Sequence, residues 1–139
     1  MKIDQCIYEK LIHLPYVPPE TGGILGSKND EIDTMILDMG QPSYHSGIYV
    51  PNVSFLNKCI ENWYAEKIAF KGIFHTHALN WLELSSDDKR YIMQIMNAMP
   101  KSINKLYFPL VFPSKFIKIF YAEKKNNHIF ISEEEMEIV

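Results

Sequence analysis

His75-Thr76-His77, followed by Ser85 and Asp88, is the stretch of this chain whose residue types could do chemistry. Two imidazoles and one carboxylate form a ligand set for catalytic zinc that leaves a position open for water. A zinc ion lowers the pKa of such a water from 15.7 to about 7, which makes hydrolysis feasible at neutral pH. Cleaving an amide also needs a proton carried to the leaving amine, so an Asp or Glu outside the ligand set is required. Glu20 is the best candidate, because it opens Glu-Thr-Gly-Gly-Ile-Leu-Gly, a strand-like segment between Pro18-Pro19 and the turn-prone run from Gly26 to Asp30. Gly22 and Gly23 weaken an ordinary strand and mark a place where another backbone or a ligand comes close. A plainer reading makes Glu20 a solvated residue after two prolines.

The elements that must position these groups follow from periodicity. Lys71-Gly-Ile-Phe-His-Thr-His reads as a buried strand, on which His75 and His77 share a face and Thr76 points away. Ser85 to Asp88 opens a helix running from Lys89 to about Met99, with Ile92, Ile95, Met96 and Met99 at i, i+3, i+4 and i+7. A Ser three residues before an acid at a helix start also resembles a capping box, which needs no metal. If Asp88 is a ligand, Ser85 or Ser86 is expected to carry the capping instead. His13, His45 and His128 lack a spaced partner and read as surface or satisfied interior residues, although His45 lies in a Pro-Ser-Tyr-His-Ser-Gly loop that could approach a site.

Glu20 with Gly-Gly-Ile-Leu-Gly, together with His-Thr-His-x7-Ser-x2-Asp, resembles the signature of the JAMM (MPN-plus) metallopeptidases. The resemblance runs from residue 20 to 88 and fits the whole chain, residues 1–139, as one MPN domain of the bacterial stand-alone type. It implies a mixed, curved β-sheet flanked by helices, an α/β fold of the cytidine-deaminase-like kind. It implies zinc held by His75, His77 and Asp88, with Glu20 as general acid and base and Ser85 steadying the oxyanion. The implied activity is hydrolysis of the amide bond after the C-terminal glycine of a ubiquitin-like protein, releasing it from its targets. Activating and conjugating enzymes are the implied companions. The neighbouring possibilities are a maturation peptidase for a ubiquitin-like or sulfur-carrier precursor, and a non-catalytic MPN scaffold. Ala78 stands where many relatives have Pro, and the loop Ala-Leu-Asn-Trp-Leu-Glu-Leu is more apolar than usual. Trp81, Leu82 and Leu84 are therefore either packed core or a wall that grips a partner's tail. A Gly-Gly tail is slim enough for a narrow cleft beside Gly22 and Gly23.

Composition narrows the field further. The 139 residues are 47% hydrophobic and 22% charged, which suits one globular domain with its own core. A net charge of −3 gives no electrostatic case for nucleic acid. Cys6 and Cys59 are too far apart for a zinc knuckle, and they read as buried free thiols in a reducing cytosol. Lys2 and Asp4 leave no apolar leader, and no apolar run is long enough for a membrane span, so a cytoplasmic protein is expected.

For the remaining elements, Ile3, Ile7, Leu11 and Leu14 suggest a helix over 3–14. A strand is expected over about 33–38, a loop over 40–52, and a second helix with a stripe of Val53, Leu56, Ile60, Trp63 and Tyr64. Leu106 to Phe112 is strand-like but holds Pro109, which suggests an edge or a bulge. Strands are expected at Phe116–Tyr121 and Ile129–Ile131, joined by a Lys-Lys-Asn-Asn-His turn. Glu133 to Glu137 reads as an acidic tail or a short helix.

Overall fold

The computed structural model describes residues 1–15, 20–40, 49–79 and 81–139. Pro18-Pro19, His45 and most of the expected 40–52 loop lie outside the described residues, as does Asn80. In chain order the elements are β1 (Lys2–Ile3), α1 (Gln5–Ile12), β2 (Gly22–Ser27), β3 (Thr34–Asp38), α2 (Val53–Ala65), β4 (Ala69–Thr76), α3 (Ser86–Ala98), β5 (Lys105–Phe112), β6 (Phe116–Lys125), β7 (His128–Glu134) and β8 (Glu137–Ile138). Six strands form one mixed sheet in the order β3-β2-β4-β5-β6-β7, and β1 pairs with β8 in a two-stranded ribbon. Only β4–β5 among the six is a parallel pair, and α3 makes its crossover.

Alternation along the strands splits the core into two layers. Ile24, Ile73, Leu106, Phe108, Leu110 and Phe120 face one way and pack with Leu56 and Trp63 of α2 and Ile92 and Met96 of α3. Leu25, Phe74, Val111, Ile117 and Ile119 face the other way and pack with Ile7, Leu11 and Ile12 of α1. The result is an α/β fold with helices on both faces of a mixed sheet. Each fully buried aliphatic side chain contributes roughly 1.5–3 kcal/mol. His75 lies two residues beyond Ile73 on β4, which puts it on the α2/α3 face.

Several expectations need correction. The first helix begins at Gln5, not Ile3, because the Asp4 side chain accepts from the Cys6 and Ile7 amides at 2.8 and 3.3 Å and so caps it. Ile3 is instead a buried strand residue paired with Ile138. In α2, Leu56 and Trp63 are buried, whereas Val53 and Tyr64 are exposed, since they fall off the stripe that faces the sheet. β5 is an interior strand despite Pro109. Its register with β4 is recorded at Tyr107 and at Leu110–Val111, so the missing amide falls in the gap between them. Glu133–Glu137 forms neither a free tail nor a helix: β7 runs on to Glu134, which meets Lys105 at 2.7 Å, and the chain then pairs with β1. Asn126 and Asn127, with φ of 52° and 64°, make the tight β6–β7 turn. Cys6 is exposed because it sits off the buried stripe of α1, and Cys59 is only partly buried, packed against the edge of the core. No helix among the described residues is long and apolar enough to cross a membrane.

Candidate metal centre

The end of β4 carries both histidines. β4 lies between β2 and β5, so His75 is aligned with Gly22 on one side and Leu110 on the other. The strand continues one residue further in effect, because the His77 amide donates to the Val111 carbonyl at 2.8 Å. Thr76 turns to the opposite face, as expected, where its hydroxyl accepts from the Thr21 amide at 2.9 Å. His77 is buried edge-on against Phe112, with ring centroids 5.8 Å apart.

Asp88 arrives from the first turn of α3. The Ser85 hydroxyl accepts from the Asp88 amide at 3.0 Å, and Asp88 Oδ2 accepts from the Ser85 amide at 2.9 Å, which completes a capping box. The same carboxylate faces the histidines, with Oδ1 3.5 Å from His75 Nε2 and Oδ2 3.9 Å from His77 Nε2. Ser85 thus carries the cap, as expected, and Asp88 shares in the box while its carboxylate still faces the histidines. A carboxylate has several lone-pair directions, and the Ser85 amide occupies only one of them.

One ligand atom from each of His75, His77 and Asp88 lies within 4.8 Å of the others. Ligands about 2.1 Å from a tetrahedral ion are about 3.4 Å apart, so a small inward movement would close the set around a metal. His75 Nε2 is buried and has no hydrogen-bond partner among the described residues. A buried ring nitrogen left without a partner is costly unless something fills that role. His77 Nδ1 lies 3.4 Å from the Ala78 carbonyl, an outer contact that turns Nε2 inward toward Asp88. Burial pushes the Asp88 carboxyl up, but the His75 ring beside it and the bonds from Ser85 outweigh this and hold it at about 2. A group that stays ionised among two inward imidazoles suits a divalent cation.

Glu20 comes from the segment that leads into β2 and lies two residues before the strand. Two bonds from the next residue fix it: the Thr21 amide to Thr76 Oγ1, and the Thr76 amide to the Thr21 carbonyl at 2.7 Å. Its carboxylate accepts from the Tyr49 amide at 3.3 Å. Burial pushes the Glu20 carboxyl above its ordinary range, and the nearby His75 and the Tyr49 amide only partly offset this. A carboxyl raised in this way holds a proton more readily than a solvated one, as a proton carrier must.

Asp38 and Tyr49 are absent from the site residues expected on sequence, yet they build its back wall. Register places Asp38, Gly22 and His75 in one row across β3, β2 and β4. The Tyr49 ring lies over Gly22, nearly parallel to the His75 ring at 6.4 Å, and its hydroxyl donates to Asp38 at 2.7 Å. Buried Asp38 also accepts from the Gly40 and Asn52 amides, each at 2.9 Å. The Tyr49 hydroxyl is driven far above the usual phenol range by burial and by that carboxylate. An acid closing an apolar strand just ahead of Gly40 is the only signal in the sequence. The row itself depends on pairings between distant segments.

The glycine pair proves to be a site of close approach, but not for a substrate tail. A Cβ on Gly22 would come within 2.6 Å of the Tyr49 ring, and one on Gly23 within 2.1 Å of the Ile36 carbonyl. Among the described residues the Cβ side of both glycines is filled by the chain's own atoms, which leaves no room there for the narrow cleft expected.

The open volume lies elsewhere. A cavity of about 410 Å³ adjoins Glu20, His75 and Asp88 and runs between α2, α3 and the sheet. Its floor includes Ile73, Ile92 and Phe108. The loop after His77 splits between the two readings: Leu84 is buried in the core, while Trp81 and Leu82 are 56% and 44% exposed. Lys118 pins this loop by donating to the Leu82 carbonyl at 3.1 Å and to Glu83 at 2.7 Å. His13 and His128 are exposed and take no part.

The chain matches no family model and no curated protein in sequence. Its fold is similar to the solution structure of protein DSY2949 from Desulfitobacterium hafniense, with a TM-score of 0.65 and 17% identity over 100% of this chain and 93% of that one. It is also similar to the solution structure of a protein from Salinibacter ruber, with a TM-score of 0.52 and 11% identity over 100% and 92% of the two chains. At these identities the likeness establishes a shared α/β fold, and His75, His77 and Asp88 remain a group able to hold a metal ion.

Proposed function

We propose that the chain is a zinc-dependent metallopeptidase of the JAMM type, acting on the amide bond after the C-terminal glycine of a ubiquitin-like protein. The observation that carries this reading is the convergence of His75, His77 and Asp88 at one end of a cavity that Glu20 also lines. These three residues would hold the ion, and a divalent cation there supplies a Lewis acid that acidifies water and polarises the carbonyl. Glu20 accepts the proton of the attacking water and delivers it to the nitrogen as the carbon–nitrogen bond breaks. The oxygen of that water ends on the acyl carbon as a carboxylate. The Ser85 hydroxyl accepts from the Asp88 amide, which leaves its own hydrogen to donate to the carbonyl oxygen as charge develops there.

The partners under this reading are a ubiquitin-like substrate and the enzymes that activate and conjugate it. Protein purified without chelator should carry about one zinc per chain and cleave a tail-fused ubiquitin-like substrate after its glycine. Chelator should abolish cleavage and zinc should restore it, while His75→Ala should lose both metal and activity. Metal-free wild-type protein from a chelator-free preparation, or cleavage indifferent to chelator, would sink the proposal. A precursor-maturation role differs only in the group attached beyond the glycine, and the apolar cavity bears on that choice.

A further inference from the structure

The cavity is not symmetric about the candidate site. Glu20, His75 and Asp88 border it, whereas His77 and Ser85 do not. Ser85 is the group that would face the carbonyl oxygen, and Glu20 the one that would protonate the departing nitrogen. The open volume is thus bordered by the group that would protonate the departing nitrogen and not by the hydroxyl that would face the carbonyl oxygen. Its interior is apolar: Ile92, Leu84 and Phe108 are all buried and Tyr91 lies beside them. Among the described residues the charged groups lining it are Glu20, Asp87 and Asp88, of which Asp87 is paired with Arg90 at 3.4 Å. Glu20, ionised once it has given up its proton, matches an amine that becomes cationic on release and repels an acidic side chain.

We infer that this cavity is the recognition pocket for a bulky apolar side chain, such as leucine or phenylalanine, on the residue just after the scissile bond. This rests on the peptidase reading and refines it. A glycine before the bond needs no pocket, whereas a cavity of about 410 Å³ lies within the range of built ligand sites. The substrate class is then a peptide-bonded extension beginning with an apolar residue, rather than a lysine-linked conjugate.

Two measurements test the inference. Peptides with glycine before the bond and Leu, Phe, Gly or Glu after it should differ in kcat/KM, with Leu and Phe roughly 10–200-fold above Gly and Glu lowest. Val53 stands half-exposed at the cavity mouth in the first turn of α2, so Val53→Trp should fold normally and erase the preference. Separately, methyl NMR of metal-free protein should show millimolar leucinamide shifting Ile73, Leu84 and Ile92, with glycinamide at least about tenfold weaker. Equal cleavage of all four peptides, or leucinamide shifts confined to exposed Leu79 and Leu82, overturns the pocket while leaving the peptidase reading intact. Selective leucinamide shifts without cleavage of any peptide by zinc-loaded protein keep the pocket and overturn the peptidase reading.

Discussion

Gly22→Ala is the sharpest probe of how the site is assembled. The added methyl would stand 2.6 Å from the Phe74 carbonyl oxygen and 2.6 Å from Cε1 and Cζ of Tyr49. That is about 0.9 Å short of a comfortable carbon–carbon separation of ~3.5 Å. The Phe74 carbonyl belongs to the central strand of the site, so the Tyr49 ring must give way. Overpacking of this kind costs about 1–3 kcal/mol. Moving the ring also strains its 2.7 Å bond to Asp38, and hydrogen bonds to charged groups are worth about 1.5–3 kcal/mol. Asp38 keeps its Gly40 and Asn52 amides, so the expected loss is about 2–5 kcal/mol rather than the sum of the extremes. Urea denaturation of the metal-free protein measures it. In a Tyr49→Ala background the same substitution should cost about 1–3 kcal/mol less, because one of its two clashes is gone. Tyr49 also holds Glu20 through its amide, and displacement by roughly an ångström should lower turnover about 10²-fold. A Gly22→Ala protein as stable as wild type, or one whose penalty is the same with and without the Tyr49 ring, refutes this account.

Glu20→Gln should retain zinc and lose about 10²–10⁴ in turnover, read by metal analysis and peptide cleavage. Because the folded state raises the Glu20 pKa, the stability tied to its protonated form is present below pH 4.5 and lost as pH rises through the folded value. The metal-free Gln variant should therefore be no less stable than wild type at pH 7 in thermal denaturation. Ser85→Ala removes both an N-cap and a proposed oxyanion donor, so it should cost about 0.5–2 kcal/mol by urea denaturation and about 10²–10³ in turnover. Asp88 has a folded pKa of about 2 against an ordinary 3.8, so its ionised form contributes on the order of 2 kcal/mol above pH 4. That contribution fades as pH falls through about 2. Metal-free Asp88→Asn should therefore be less stable than wild type at pH 5 and converge with it near pH 2, as followed by circular dichroism.

The candidate metal group is legible in the sequence because its parts are local. His75 and His77 lie two apart on a strand, and Asp88 sits at a helix start eleven residues on, so short-range periodicity suffices to bring them close. Glu20 needs the chemical argument that a proton carrier must exist. Asp38 and Tyr49 are not legible, because their roles depend on β3–β2–β4 register and on a ring lying over a glycine. The cavity is hidden for the same reason, being lined by α2, α3, β4 and β5 together. Pro109 points to an edge because nothing local shows that its missing amide falls in a gap of the parallel ladder. The pairing of β8 with β1 joins opposite ends of the chain, and no window of sequence contains it.

The place of Asp88 in both a capping box and the candidate metal group shapes what the chain can tolerate. Neither imidazole takes part in the capping box, so a relative that held no ion could lack both rings and keep it. Residue 88 would still be needed to close the opening turn of α3, and a longer or uncharged substitute would serve that purpose less well. An acid at this position is thus poor testimony about hydrolysis by itself, since architecture alone would retain it. The two rings are the more telling trait, because among the described residues the buried His75 Nε2 at the end of β4 has no hydrogen-bond partner.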